Sequence, residues 1–172
     1  MSIEISTERL TLRPWRSDDF ETYAAYYADD ATARYVGGQM SRDKAWRHLA
    51  AVVGHWQLKG FGLWAVDEKE SGKFVGCVGL QEPEGWPELE LGYWLMPSAH
   101  GKGYATEAGV RCRDYAYKEM GASSLVSYID PNNTPSRRVA ERLGATLEDT
   151  IDLLTYGPHC VYRHPAPSPG VS

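Results

Sequence analysis

Leu91-Gly92-Tyr93-Trp94-Leu95-Met96-Pro97-Ser98-Ala99-His100-Gly101-Lys102-Gly103-Tyr104-Ala105-Thr106-Glu107-Ala108 reads as a strand, a glycine loop and the start of a helix. Two glycines one residue apart, followed at once by helix-forming residues, bring unpaired backbone N–H groups and the positive end of a helix dipole to one point. That is an anion site, and phosphate is the expected occupant. A P-loop needs four residues between its glycines and then Lys-Ser or Lys-Thr, which Gly101-Lys102-Gly103 does not offer. A dinucleotide fingerprint needs Gly or Ala three residues after the second glycine, where this chain has Thr106, and a parallel βαβ unit around it. A plain connecting loop remains the alternative at this level, since Gly-x-Gly alone is common.

Upstream, residues 9–13 alternate apolar and polar and stop at Pro14, as a first strand does. Ser17 is placed to cap a helix whose first turn holds Asp18, Asp19 and Glu21 and whose apolar face is Phe20, Tyr23, Ala24 and Tyr27. Gly37-Gly38 interrupts the chain, and Ser41 opens a longer helix with Ala45, Leu49, Val52, Val53 and Trp56 on one face, ended by Gly60. His48 and His55 lie seven apart on it, too far for the i, i+4 spacing of a metal pair, so they read as solvated or hydrogen-bonded side chains. Residues 61–66 and 74–80 form a hairpin across Glu68-Lys69-Glu70-Ser71-Gly72, and residues 88–95 a third strand of this antiparallel meander.

Downstream, Ala105, Ala108, Gly109, Cys112, Ala116 and Met120 give the next helix a small-residue face that implies close packing on a sheet, and Gly121 ends it. Residues 125–129 read as a strand, and Thr134 and Pro135 as the cap and first residue of a helix that Gly144 closes. Two closing strands are expected near residues 146–154 and 160–162. The expectation is one α+β domain over residues 1–164, with helices on both faces of the sheet, and a Pro-rich, frayed tail over residues 165–172.

At 172 residues, with a hydrophobic content of 42%, charged content of 24% and a net charge of −5, the chain matches an ordinary globular domain. The acid excess argues against a nucleic-acid footprint, which would be basic. Cys77, Cys112 and Cys160 are odd in number and widely spaced, so they read as free thiols and not as a disulfide framework or zinc site. No run reaches the roughly 18 apolar residues of a membrane span, and Met1-Ser2-Ile3-Glu4 does not open a signal peptide, so a cytoplasmic protein without membrane partners is expected.

Several stretches together resemble the GNAT superfamily of acyl-CoA-dependent N-acyltransferases, and the resemblance covers nearly the whole chain. The family's loop runs Gln or Arg, two residues, Gly, one residue, then Gly or Ala. His100-Gly101-Lys102-Gly103-Tyr104-Ala105 matches except that His100 stands at the first position. Glu8 to Pro14, Glu90 to Pro97 and Asn133 to Gly144 are similar to the branch containing the bacterial acetyltransferases of ribosomal-protein N-termini. The resemblance implies a mixed, mostly antiparallel sheet of six to seven strands and an N-acetyltransferase. It would transfer acetyl from acetyl-CoA to a primary amine, a protein N-terminus or a small molecule, in a ternary complex without a metal. The alternative is a non-catalytic acyl-CoA-binding sensor or interaction module. The acceptor and the choice between monomer and homodimer are not legible.

The resemblance also implies roles. Phosphates of the coenzyme would meet the N–H groups of Gly101, Lys102, Gly103, Tyr104, Ala105 and Thr106, with His100 at the loop's entrance. Lys102, Arg111, Arg137, Arg138 and Arg142 lie within sequence reach of its anionic end, and Arg138 is taken as the ligand. Main-chain groups of Leu95 and Met96 would pair with the pantetheine arm and offer an N–H to the thioester oxygen. Asn133 would bond the pantetheine amides. Glu90, preferred over Glu88, is the expected base for the amine. Many relatives carry a tyrosine as acid for the thiolate seven residues after this asparagine, where this chain has Ala140. Ser136 is the expected substitute, with Tyr104 and Tyr128 as further candidates. Trp15, Tyr26, Tyr27, Tyr35, Trp46 and Trp86 suggest an aromatic-walled acceptor cleft.

Overall fold

The computed structural model describes residues 3–167 and 169. Its elements run β1 (Ile5–Ser6), β2 (Leu10–Arg13), α1 (Asp19–Ala28), α2 (Asp30–Ala33), α3 (Arg42–Lys59), β3 (Leu63–Glu68), β4 (Phe74–Gln81), β5 (Glu90–Leu95), a 3₁₀ turn (Pro97–Ala99), α4 (Tyr104–Lys118), β6 (Val126–Ile129), α5 (Thr134–Arg142), β7 (Thr146–Asp152) and β8 (Pro158–Arg163). One mixed sheet runs in the order β1-β2-β3-β4-β5-β6-β8-β7, antiparallel at each pairing except β5 with β6. The described residues thus hold eight strands where six to seven were expected. The addition is β1, whose two residues pair with Thr11 and Leu12 and are too few to show a periodicity.

Helix α4 lays Ala108, Cys112 and Ala116 against Leu12, Val66, Val78 and Leu91, and α5 packs beside it. Small residues on α4 allow this approach: a Cβ on Gly109 would stand 2.9 Å from Leu143 Cδ1. On the other face α1 and α3 bury Tyr23, Tyr27, Ala45 and Leu49 over Cys77 and Trp94. Val53 was expected on that buried face and is 46% exposed, while His48 turns inward to share a hydrogen bond with the Tyr23 hydroxyl. All three cysteines are free and buried, and burial raises the thiols of Cys77 and Cys112 above their usual range.

Two helix starts differ from the sequence reading. Helix α1 begins at Asp19, not after a Ser17 cap, because the Asp19 carboxylate accepts the Arg16 N–H and a bidentate pair from Arg13. Helix α5 is capped by Asn133, whose Oδ1 accepts the Ser136 N–H at 3.4 Å, so Thr134 lies inside the helix. Pro165 was expected to open a frayed tail, yet its carbonyl accepts the Tyr117 hydroxyl at 2.6 Å. The rest of that expectation falls mainly on residues outside those described.

Glycines in β4 let its neighbours close. A Cβ on Gly76 would stand 2.3 Å from the Trp94 carbonyl oxygen and 2.9 Å from Leu95 Cα, both backbone atoms of the strand that carries the site. Gly76→Ala is therefore expected to destabilise the fold by roughly 1–3 kcal/mol, read as a lowered urea midpoint. An unchanged midpoint would mean that β5 yields there without cost.

Candidate active site

Strands β5 and β6 meet at a single register pair, Glu90 with Val126, and then part. Ser127 holds them together at that point. Its hydroxyl donates to the Leu91 carbonyl at 2.7 Å and lies 2.8 Å from His164 Nε2. The serine has one proton, already given, so Nε2 is the donor. Burial lowers the His164 pKa to about 4, with Arg113 adding to the effect. Beyond this clip the side of β5 facing β6 has no strand partner among the described residues.

Alternation decides which main-chain groups face that opening. Met96 gives its N–H to the Val75 carbonyl at 2.8 Å, and its own carbonyl accepts from the Ala99 N–H at 2.9 Å. Met96 is thus committed to the sheet and the 3₁₀ turn. Leu95, one residue back and opposite Gly76, turns its N–H and carbonyl to the open side. His100 Nε2 bonds that carbonyl at 3.0 Å, so the side chain at the loop's first position ties the loop to the end of β5.

The loop itself leaves a run of backbone amides unpaired among the described residues. Gly101 and Gly103 have φ of +76° and +80°, backbone that L side chains rarely adopt. The N–H groups of Gly101, Lys102, Gly103, Tyr104, Ala105 and Thr106 donate to no acceptor among the described residues; intrachain bonding resumes with Glu107 N–H to the Gly103 carbonyl. Lys102 and Tyr104 point their side chains elsewhere, to Glu68 at 3.3 and 2.5 Å, and those bonds with Ser71 hold the Glu68 carboxyl down at about 2. Arg9 lies 4.6 Å over the Tyr104 ring and bonds Glu107. The side chains anchor the loop while its amides stay free. Arg138 is exposed on α5 without a hydrogen bond or ion pair to any described residue, whereas Arg111 faces Glu119 and Arg137 is held by Tyr162 and the Pro131 carbonyl.

A cleft of about 370 Å³ opens on both sides of the parted strands, bordered by Glu90, Tyr93, Asn133 and Ser136. Glu90 is 6% exposed at its floor. Gln81 Nε2 and Trp86 Nε1 both donate to its Oε2, at 3.0 and 2.6 Å. Its Oε1 stands beside the bare floor at Gly92, where a Cβ would lie 3.7 Å from it. Burial raises the Glu90 pKa to about 7, against the opposing hydrogen bonds from Trp86, Gln81 and the Tyr128 backbone. Glu88 is instead clamped by Arg163 at 2.6 and 3.1 Å.

Ser136 Oγ donates to the Tyr93 hydroxyl at 3.3 Å, and that hydroxyl donates to the Ser136 carbonyl at 2.7 Å. Sequence reasoning missed Tyr93. Strand alternation places it with Leu91 and Leu95, opposite Glu90, but no local signal says that α5 crosses above it. Of the aromatic residues expected in the cleft, Tyr27, Tyr35 and Trp86 line it. Trp46 is exposed, Tyr26 stacks on Trp94 at 4.0 Å, and Trp15 donates to the Leu63 carbonyl. Tyr23, Tyr128, Tyr156, His48 and His159 line it in addition. The structure thus gathers Glu90, Ser136 and Asn133 about one cleft and sets the loop of residues 100–106 beyond the end of β5. Among the described residues no cluster of His, Cys, Asp and Glu is arranged to hold a metal, and no helix is long and apolar enough to cross a membrane.

Known proteins resemble this chain in sequence and in fold. The uncharacterized protein YkkB of Bacillus subtilis is 31% identical over 153 residues, covering 86% of this chain and 88% of that one. An acetyltransferase from Agrobacterium tumefaciens superposes with a TM-score of 0.86 at 35% identity over 94% of both chains. RimL, a ribosomal L7/L12 alpha-N-protein acetyltransferase solved with coenzyme A, shares the fold with a TM-score of 0.73 at 17% identity, over 95% of this chain and 96% of that one. Residues 9–146 match the acetyltransferase (GNAT) domain family, and with the parted strands and the glycine loop in place, the chain belongs to that family.

Proposed function

We propose that this protein transfers the acetyl group of acetyl-CoA to a primary amine by direct attack in a ternary complex. The observation that carries the reading is the buried Glu90 carboxyl at the point where β5 and β6 part. The six free amides from Gly101 to Thr106 suit the coenzyme's pyrophosphate, with Arg138 one turn into α5 for its anionic end. The Leu95 N–H, on the open side of β5, suits the thioester oxygen.

In this scheme the acceptor enters as an ammonium ion and loses a proton to Glu90, directly or through a water. The free amine nitrogen then forms a bond to the acetyl carbon. The negative charge that develops on the carbonyl oxygen is met by a backbone N–H. Collapse breaks the carbon–sulfur bond while the nitrogen gives up its second proton to solvent, and the thiolate takes a proton from Ser136, which solvent replaces. Tyr93 fixes the serine's rotamer and is a positioning residue.

Titration calorimetry and thermal unfolding with acetyl-CoA test the coenzyme assignment. Binding and a raised Tm are expected, with about 2.7 kcal/mol of added stability at 100 times Kd. Absence of both would overturn it.

A further inference from the structure

The acceptor side of the cleft has a charge pattern that narrows what can occupy it, granted the acetyl-transfer reading above. Lys and Arg are absent from the lining among the described residues, and Glu84 at the rim and Glu90 at the floor are its only carboxylates. The nearby Arg163 is spent on Glu88 and Glu148. His55 is closed on both nitrogens, Nδ1 donating to the Phe61 carbonyl and Nε2 accepting from the Glu82 N–H, a pattern only the neutral ring can make.

The walls are aromatic. Trp86 meets Tyr128 and Tyr156 edge to face, at 6.2 and 5.8 Å between centroids, across from Tyr23 and Tyr27. Aromatic faces attract cations and give an anion nothing in return for its lost water. The Tyr128 side chain, 8% exposed and bordering the cleft, leaves its hydroxyl without any hydrogen-bond partner among the described residues.

We infer that the acceptor is a small arylalkyl- or alkylamine that carries no carboxylate or phosphate beside its amino group. A free amino acid would place its carboxylate next to the amine, hence close to Glu90, with no Lys or Arg among the described lining residues to answer it. Like charges brought together in a desolvated site discriminate strongly.

The test is a set of matched pairs assayed by thiol release from acetyl-CoA at pH 8: tyramine against tyrosine, 2-phenylethylamine against phenylalanine, and a short neutral peptide. The amine of each pair is expected to exceed its amino acid by about 100-fold or more in kcat/KM and to be preferred over the peptide. Glu84→Lys, which sets a cation on the exposed rim, is expected to shrink the gap within each pair by about tenfold. Parity within the pairs, preference for an amino acid or the peptide, or coenzyme binding without turnover of any of these amines would overturn the inference. If acetyl-CoA itself neither binds nor raises Tm, the acetyl-transfer reading fails instead.

Discussion

A Glu90→Gln enzyme is expected to bind acetyl-CoA normally and to lose roughly 10²–10⁴ of kcat/KM with its amine acceptor. The carboxyl is buried, its Oε2 is held by Gln81 and Trp86, and its Oε1 adjoins the cleft floor at Gly92. Glutamine keeps the shape and an acceptor oxygen but cannot take a proton. The wild-type rate should rise with pH through about 7 as Glu90 ionises, and that limb should vanish in the variant.

Stability supplies an independent readout. The Glu90 pKa is raised in the folded protein, so the folded state binds more protons than the unfolded state between the ordinary carboxyl value and about 7. Its contribution is present at low pH and is lost as pH rises through that window, to a limit of roughly 3 kcal/mol. Glu90→Gln should therefore be more stable than the wild type at pH 8, with the advantage shrinking toward pH 4. Unchanged turnover with an intact pH limb would remove Glu90 from the chemistry; an unchanged pH dependence of stability would deny its burial as a carboxyl.

Arg13→Met should cost roughly 3–5 kcal/mol of stability, seen as a large drop in urea midpoint. The guanidinium is 4% exposed and bonds Asp19 at 2.8 and 2.9 Å, Asp67 at 2.6 and 2.9 Å, and the Pro14 carbonyl. Its loss leaves the 4%-exposed Asp19 without a cation at the start of α1, the helix that forms one wall of the cleft. Replacing both partners as well, in Arg13→Met with Asp19→Leu and Asp67→Leu, should recover much of the loss, because it is the stranded charge that destabilises. Equal stability of the single variant and the wild type would show that water reaches the carboxylates.

Much of the site was legible along the chain. The glycine loop could be read because its geometry lies in the backbone: two residues at positive φ and a helix start free six amides whatever the side chains. Glu90 could be named because it stands beside Leu91-Gly92-Tyr93 as in the family's pattern. Tyr93 and His159 could not, because each sits in a pattern that fits plain burial and gains its meaning from an element distant in sequence. The exposed Trp46 was misplaced for the same reason: aromatic character does not say which way a helix turns.

The sequence by itself determined most of the element order and the glycine loop at a helix start, since both follow from local backbone preference and the periodicity of apolar residues, while the candidate base was named through the family resemblance. Tertiary structure alone decided where β5 and β6 part, which of Leu95 and Met96 keeps a free N–H, and that Glu90 is buried while Glu88 is paired with Arg163. Those outcomes depend on sheet register and on contacts between residues 36 to 75 positions apart, such as Ser127 with Leu91 and Arg163 with Glu88. No local propensity encodes them; they exist only when the whole sheet closes.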